Sequence, residues 1–152
     1  MLQHYHFSCA IEGYCVQCLA KIYRDGGHHD SVDRMKTLVS RMQELCCDEE
    51  QQKDISFQEY FYVDSQFHFE IIQSLGNALF VRLSNAQIGF YDHPELQLTE
   101  LPIQKMAVLH CHEHILDAII AGNPTEAYEA QIAHADLMYQ TYLNSGSKGS
   151  KQ

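Results

Sequence analysis

Basic residues are scarce in this chain. Of its 152 residues only 10 are Lys or Arg, against 20 Asp or Glu, for a formal net charge of -10. The four arginines, Arg24, Arg34, Arg41 and Arg82, form no run. A surface of this sign repels a phosphate backbone, so direct nucleic-acid binding through these residues is not expected. Long apolar runs are also missing. A membrane-spanning helix needs about 18 consecutive apolar residues or more, and none is present. The start, Met1-Leu2-Gln3-His4-Tyr5-His6, lacks the basic and then apolar pattern of a signal peptide. The expectation is a cytoplasmic protein. Proline and glycine are few, at three and eight, which argues against the many short strands and turns of an all-β fold. There is no Gly-rich phosphate loop and no nucleophile elbow. His112-Glu113-His114-Ile115-Leu116 is not the zinc-protease signature, because Leu116 stands where the second histidine belongs.

What remains is apolar material, 45% of the residues, enough for one core in one domain. Six helical segments follow from the spacing. The first runs from about Ser8 to Tyr23 and stops at Asp25-Gly26-Gly27. The second opens at Asp30-Ser31, read as an N-cap, and carries Met35, Leu38, Val39, Met42 and Leu45. The third follows a cap at Ser56 and ends at Gly76. Asn77 caps a short fourth. The pattern dissolves into a loop between Gly89 and Pro102. The fifth spans about Ile103 to Ala121 and stops at Gly122-Asn123-Pro124, where Gly ends one helix and Pro suits the first turn of the next. The sixth reaches about Leu143, before the linker-like Ser145-Gly146-Ser147-Lys148-Gly149-Ser150. The six cysteines are expected to be reduced. Cys15-x-x-Cys18 reads as small apolar residues on a helix, since no second pair accompanies it.

Four polar residues fall on the apolar stripes of these helices. Asp64 and His68 are four apart and share a face with Tyr60, Phe61, Ile71 and Ile72. A carboxylate there is costly to bury unless something pairs with it. On the fifth helix His112 has Val108, Leu109, Ile115 and Leu116 at three and four residues. His114, about 200° away around the axis, has the more polar His110, Cys111, Asp117 and Ala118. Only one of the two can face inward, and the pattern selects His112. His134 keeps company with Ala130, Leu137 and Met138. It lies as far beyond the Gly122-Asn123-Pro124 turn as His112 lies before it, so an antiparallel hairpin brings the two level. One carboxylate and three imidazoles on facing helices make a metal site. Zn²⁺ is the first choice, with Ni²⁺, Fe²⁺ or Mn²⁺ as alternatives. His4, His6, His28, His29 and His93 are read as solvated.

These residues carry a resemblance. Ile11-Glu12-Gly13, Asp64-Ser65-Gln66-Phe67-His68 followed by Gly76-Asn77, and His112, Ala118-Ile119, Gly122-Asn123, Ala127 and His134 resemble the FCD domain, the effector-binding domain of GntR-type bacterial transcription regulators. The likeness covers about Ile11 to Leu143. It implies an all-α fold, an antiparallel bundle of about six helices of the VanR-like type, with a metal site in the core. It implies the same four ligands, Asp64, His68, His112 and His134, and one divalent ion. It also implies a homodimer and a small carboxylate effector. In such a regulator DNA is reached only through a winged helix-turn-helix domain, which this chain is expected to lack. Residues 1–144 are then the ligand-binding domain and 145–152 a flexible tail. An arginine common near the family's opening helix is absent, with Ser8 about where it would stand. Arg24 and Arg82 are candidate substitutes, and Tyr60 and Asn77 candidate hydrogen-bond donors to an effector. A sensor domain that is not an enzyme is the leading reading. A metal-dependent enzyme and a purely structural dimerisation domain are the alternatives, and neither Glu113 nor Glu70 is placed to act as a general base.

Overall fold

The computed structural model describes residues 2–47, 55–91 and 105–146, and everything regular in them is helical. Helix α1 (Leu2–Phe7), a π-helical turn (Ser8–Glu12) and α2 (Gly13–Arg24) follow one another without a break. Then come α3 (Asp30–Cys47), α4 (Ile55–Gln73), α5 (Ala78–Tyr91), α6 (Lys105–Ile120) and α7 (Pro124–Gly146). Among the described residues six rods therefore stand where the spacing predicts six segments, and all of them are α-helical apart from the π-helical turn. The first rod begins at Leu2, ahead of the expected Ser8.

Helix packing places the stripes against one another. α6 pairs with α7, α2 lies against both, and α3 bridges α4 and α6. The core is made by Val16 and Leu19 of α2, Met35 and Met42 of α3, Phe67 and Ile71 of α4, and Ile115 and Ile119 of α6. Within each helix these positions are three, four or seven apart, the spacing that defines an apolar stripe. α5 packs on α4, and its Phe80 meets Tyr14 of α2 edge to face.

The ends of the helices show which local signals operate. Gly122 has φ +67°, and Gly122 and Asn123 N–H donate to the carbonyls of Ile119 and Ala118. That is a Schellman stop. A Cβ at Gly122 would also lie 2.7 Å from the Arg24 backbone, so only glycine lets this turn seat on the end of α2. Asn123 Oδ1 then accepts the Glu126 N–H at 3.1 Å, capping α7. Asn77 caps α5 as expected, accepting the Leu79 N–H at 3.0 Å. The cap of α3 differs from expectation: the Ser31 N–H donates to Nδ1 of His29 at 3.1 Å. An imidazole one residue earlier does what Asp30-Ser31 was expected to do. α4 is already helical at Ile55, one residue before the expected cap Ser56. α5 continues through Tyr91, past the expected start of the loop at Gly89, and α7 reaches Gly146. The rest of that loop, 92–102, the expected first residues of the fifth helix, 103–104, and 147–152 of the tail lie outside the described residues.

Candidate metal centre

Three helices bring the four in-phase residues to one point. Asp64 and His68 come from α4, His112 from α6 and His134 from α7, and one ligand atom of each lies within 4.8 Å of all the others. His112 and His134 are fully and almost fully buried. Their rings are 4.7 Å apart between centroids, and each lies within 5.1 Å of the His68 ring.

All three rings point the same nitrogen inward. His68 Nε2 is 2.9 Å from His134 Nε2 and 3.2 Å from His112 Nε2. His112 Nε2 is 3.3 Å from Asp64 Oδ1, near enough for an ion pair but without hydrogen-bond geometry, so this buried oxygen has no hydrogen-bond partner among the described residues. Two neutral imidazoles share at most one proton across such a gap. Three Nε2 atoms and a carboxylate oxygen at one point favour a positive charge among them, either a proton on His68 or a metal ion in its place. A metal–nitrogen bond of about 2.1 Å sets neighbouring ligand atoms about 3.0 Å apart in an octahedron and about 3.4 Å in a tetrahedron. These three spans, 2.9 to 3.3 Å, have that size, and the remaining pairs lie within 4.8 Å. The donor set therefore fits a divalent ion.

The far side of each ring is held differently. His68 Nδ1 lies 2.9 Å from Glu12 Oε2. His112 Nδ1 faces Met42 Sδ at 3.2 Å. His134 Nδ1 is buried without a hydrogen-bond partner among the described residues. Glu12 is itself buried and belongs to the π-helical turn, closed by the Gly13 N–H donating to the Ser8 carbonyl. Such turns recur at functional positions because they push a side chain out of its regular phase.

Burial decides the protonation of the two deepest rings. It pushes His134 down to about 3 and His112 well below the usual histidine range, helped by the neighbouring imidazoles. Both are neutral at physiological pH, the state in which imidazole binds metal. Burial raises Asp64 to about 6, against the opposing pull of His68. For His68 burial acts downward, but the charge and hydrogen bond of Glu12 outweigh it and hold the metal-free imidazole well above its ordinary value. Glu12 is held low by His68 in the same way, against its own desolvation.

The chain matches the FCD domain family over residues 3–137. It belongs to that family. FCD domains are the effector-binding domains of GntR-type transcription regulators, so this chain is of that kind. Comparisons with curated proteins and with solved structures found no match.

In this FCD domain the remaining candidates are spread out. Tyr60 is buried one turn before Asp64, and its hydroxyl donates to the Lys105 carbonyl at 2.9 Å. Asn77 is exposed and serves as the α5 cap. Arg24 is exposed at the end of α2, its Nε donating to Asp25 at 3.1 Å. Arg82 is exposed on α5. His114, set aside by phase, is exposed and paired with Glu126. Glu113 accepts from Gln43, and Glu70 from Arg34, so both are engaged away from the cluster. A second group, His28, Asp30 and Asp33, is wholly exposed, and its Asp33 is already paired with His28 and Lys36. No helix among the described residues is long and apolar enough to cross a membrane.

Residues missed by spacing alone are Glu12, Gln131 and Met42. For Glu12 a signal existed. Its neighbours at three and four residues are Ser8, Cys9, Cys15 and Val16, so a carboxylate stands on a stripe that goes inward and must find a partner there.

Proposed function

We propose that this FCD domain is a metal-containing sensor of small organic acids within a GntR-type regulator, and that Asp64, His68, His112 and His134 hold one divalent ion. The observation that carries this is the convergence of three Nε2 atoms and an otherwise unpartnered carboxylate oxygen in a buried centre. Zn²⁺ is the proposed ion, with Ni²⁺, Fe²⁺ and Mn²⁺ as alternatives compatible with the same donors. Bound there, it supplies a Lewis-acidic positive charge that attracts an anionic ligand.

The chain's own residues do the rest. They hold the charge in a low-dielectric core, where its attraction for a carboxylate is stronger than in water. Four ligands leave an ion of octahedral preference short of a full set. Of the proposed effector contacts Tyr60, Asn77, Arg24 and Arg82, Tyr60 is the buried one and lies one turn from Asp64, and its hydroxyl would have to leave the Lys105 carbonyl to donate to an effector. The effector works by binding one arrangement of the helices better than another. In the proposed regulator the domain is cytoplasmic and homodimeric, and DNA is contacted by a winged helix-turn-helix domain rather than by this bundle. A catalytic reading has less support, because Glu113 and Glu70 are engaged elsewhere and supply no base.

Elemental analysis of protein purified without a histidine tag tests the proposal. About one ion per chain is expected. Absence of metal after loading and gel filtration would leave a hydrogen-bonded polar core and overturn it.

A further inference from the structure

Behind the four converging groups lies a second buried carboxylate, and the hydrogens around it can be followed one by one. Glu12 Oε2 lies 2.6 Å from Gln131 Nε2, 2.9 Å from Ser8 Oγ and 2.9 Å from His68 Nδ1. The Gln131 amide nitrogen is also 2.9 Å from Ser8 Oγ. That nitrogen only donates, so Ser8 accepts from it and turns its own hydrogen toward Glu12. Oε2 thus accepts twice before His68 is considered. An oxygen so placed is an acceptor for the third contact as well, and the hydrogen sits on His68 Nδ1. A neutral His68 is left with its lone pair on Nε2, the atom that faces His112 and His134.

We infer that Glu12 is a positioning residue for the metal centre, fixing the tautomer and ring plane of His68 through a clamp formed by Ser8 and Gln131. The inference rests on the metal reading of the preceding section. A metal-bound histidine whose far nitrogen donates to a carboxylate is held in orientation and made a better ligand. Here the clamp is built into the fold. Ser8 and Glu12 begin and end the π-helical turn, and Gln131 lies three residues before His134 on α7. Gly13 lets the two elements come close, since a Cβ there would lie 2.8 Å from the Tyr128 ring. Glu12 and Gln131 are 2% and 0% exposed, so water does not compete for these bonds. Glu12 also adds to Asp64 a second negative charge, which together balance a dication.

The test is Glu12→Gln, of nearly the same shape. Co²⁺ is titrated into metal-free wild-type and variant protein and followed by its visible absorption, with Zn²⁺ affinity obtained by competition. A loss of about 10- to 100-fold in affinity is expected. Nitrogen NMR of loaded wild-type protein should show His68 with hydrogen on Nδ1 and the ion on Nε2. A merely structural Glu12 would lower the melting temperature of the metal-free protein and leave the Co²⁺ affinity of folded protein unchanged, which would overturn the inference. So would coordination of His68 through Nδ1. Should E12Q not fold, Gln131→Met keeps the carboxylate and loosens its clamp; a smaller loss in the same direction is expected, and unchanged affinity overturns the inference. A wild-type chain that takes up no Co²⁺ overturns the metal reading itself, whereas tight wild-type binding beside unchanged E12Q overturns only the role given to Glu12.

Discussion

His112 and His134 face each other across a hairpin, ten residues before Gly122 and ten after Pro124, with ring centroids 4.7 Å apart. Equal arms on an antiparallel turn bring side chains level, and the Schellman stop at Gly122 fixes where the arms begin.

Replacing either by alanine should abolish tight metal binding. At a metal concentration about 100 times Kd, binding contributes about 2.7 kcal/mol to stability. Its loss should lower Tm by about 5 to 10 °C. His114→Ala should change neither metal content nor Tm, because His114 is exposed and paired with Glu126. Elemental analysis with thermal melts of loaded protein checks all three variants; equal metal loss from His114→Ala would contradict the phase assignment.

Metal uptake should release protons. In the metal-free chain Glu12 raises His68 above its ordinary value, so near pH 7 its imidazole carries an extra proton that an ion must displace. The sign follows: lowering the pH favours the protonated form and weakens binding, by about tenfold per pH unit for one displaced proton. Calorimetry in buffers of different ionisation enthalpy should give about one proton per ion at pH 7. A pH-independent affinity between pH 6 and 8 would show that His68 is not displaced in this way.

Small carboxylates should bind only the loaded protein. Calorimetry with citrate, lactate and malonate on metal-loaded and chelator-stripped samples makes the comparison. Equal binding to both forms would make the ion structural and move the effector site elsewhere.

Gly122→Ala should destabilise the metal-free bundle by more than about 1 kcal/mol. The backbone there has φ +67° and a Cβ would meet Arg24 at 2.7 Å. Denaturant unfolding measures this, and a neutral result would mean that the turn does not sit on α2 as described.

This chain alone should not retard duplex DNA at physiological salt. With a net charge of -10 it has few cations with which to displace counterions. A salt-sensitive shift at micromolar protein would count against this.

Periodicity picked out Asp64, His68, His112 and His134 as inward-facing residues, and the structure brings them to within 4.8 Å of one another, because a polar group on an apolar stripe shows in one dimension and a hairpin of equal arms sets register without any other part of the fold. The helix count and the caps at Asn77 and Gly122 were legible for the same reason: their causes lie within a few residues. The cap at His29 was not, since an imidazole replaced the usual cap residues. Nor was the set behind His68. Gln131 and Glu12 are 119 residues apart in sequence and meet only because Gly13 lets α7 close on a π-helical turn that no spacing pattern announces. Which residues go inward is a property of the local helix, and so was written in the sequence. Which partner each one meets there depends on how the helices pack, and only the tertiary structure decided it.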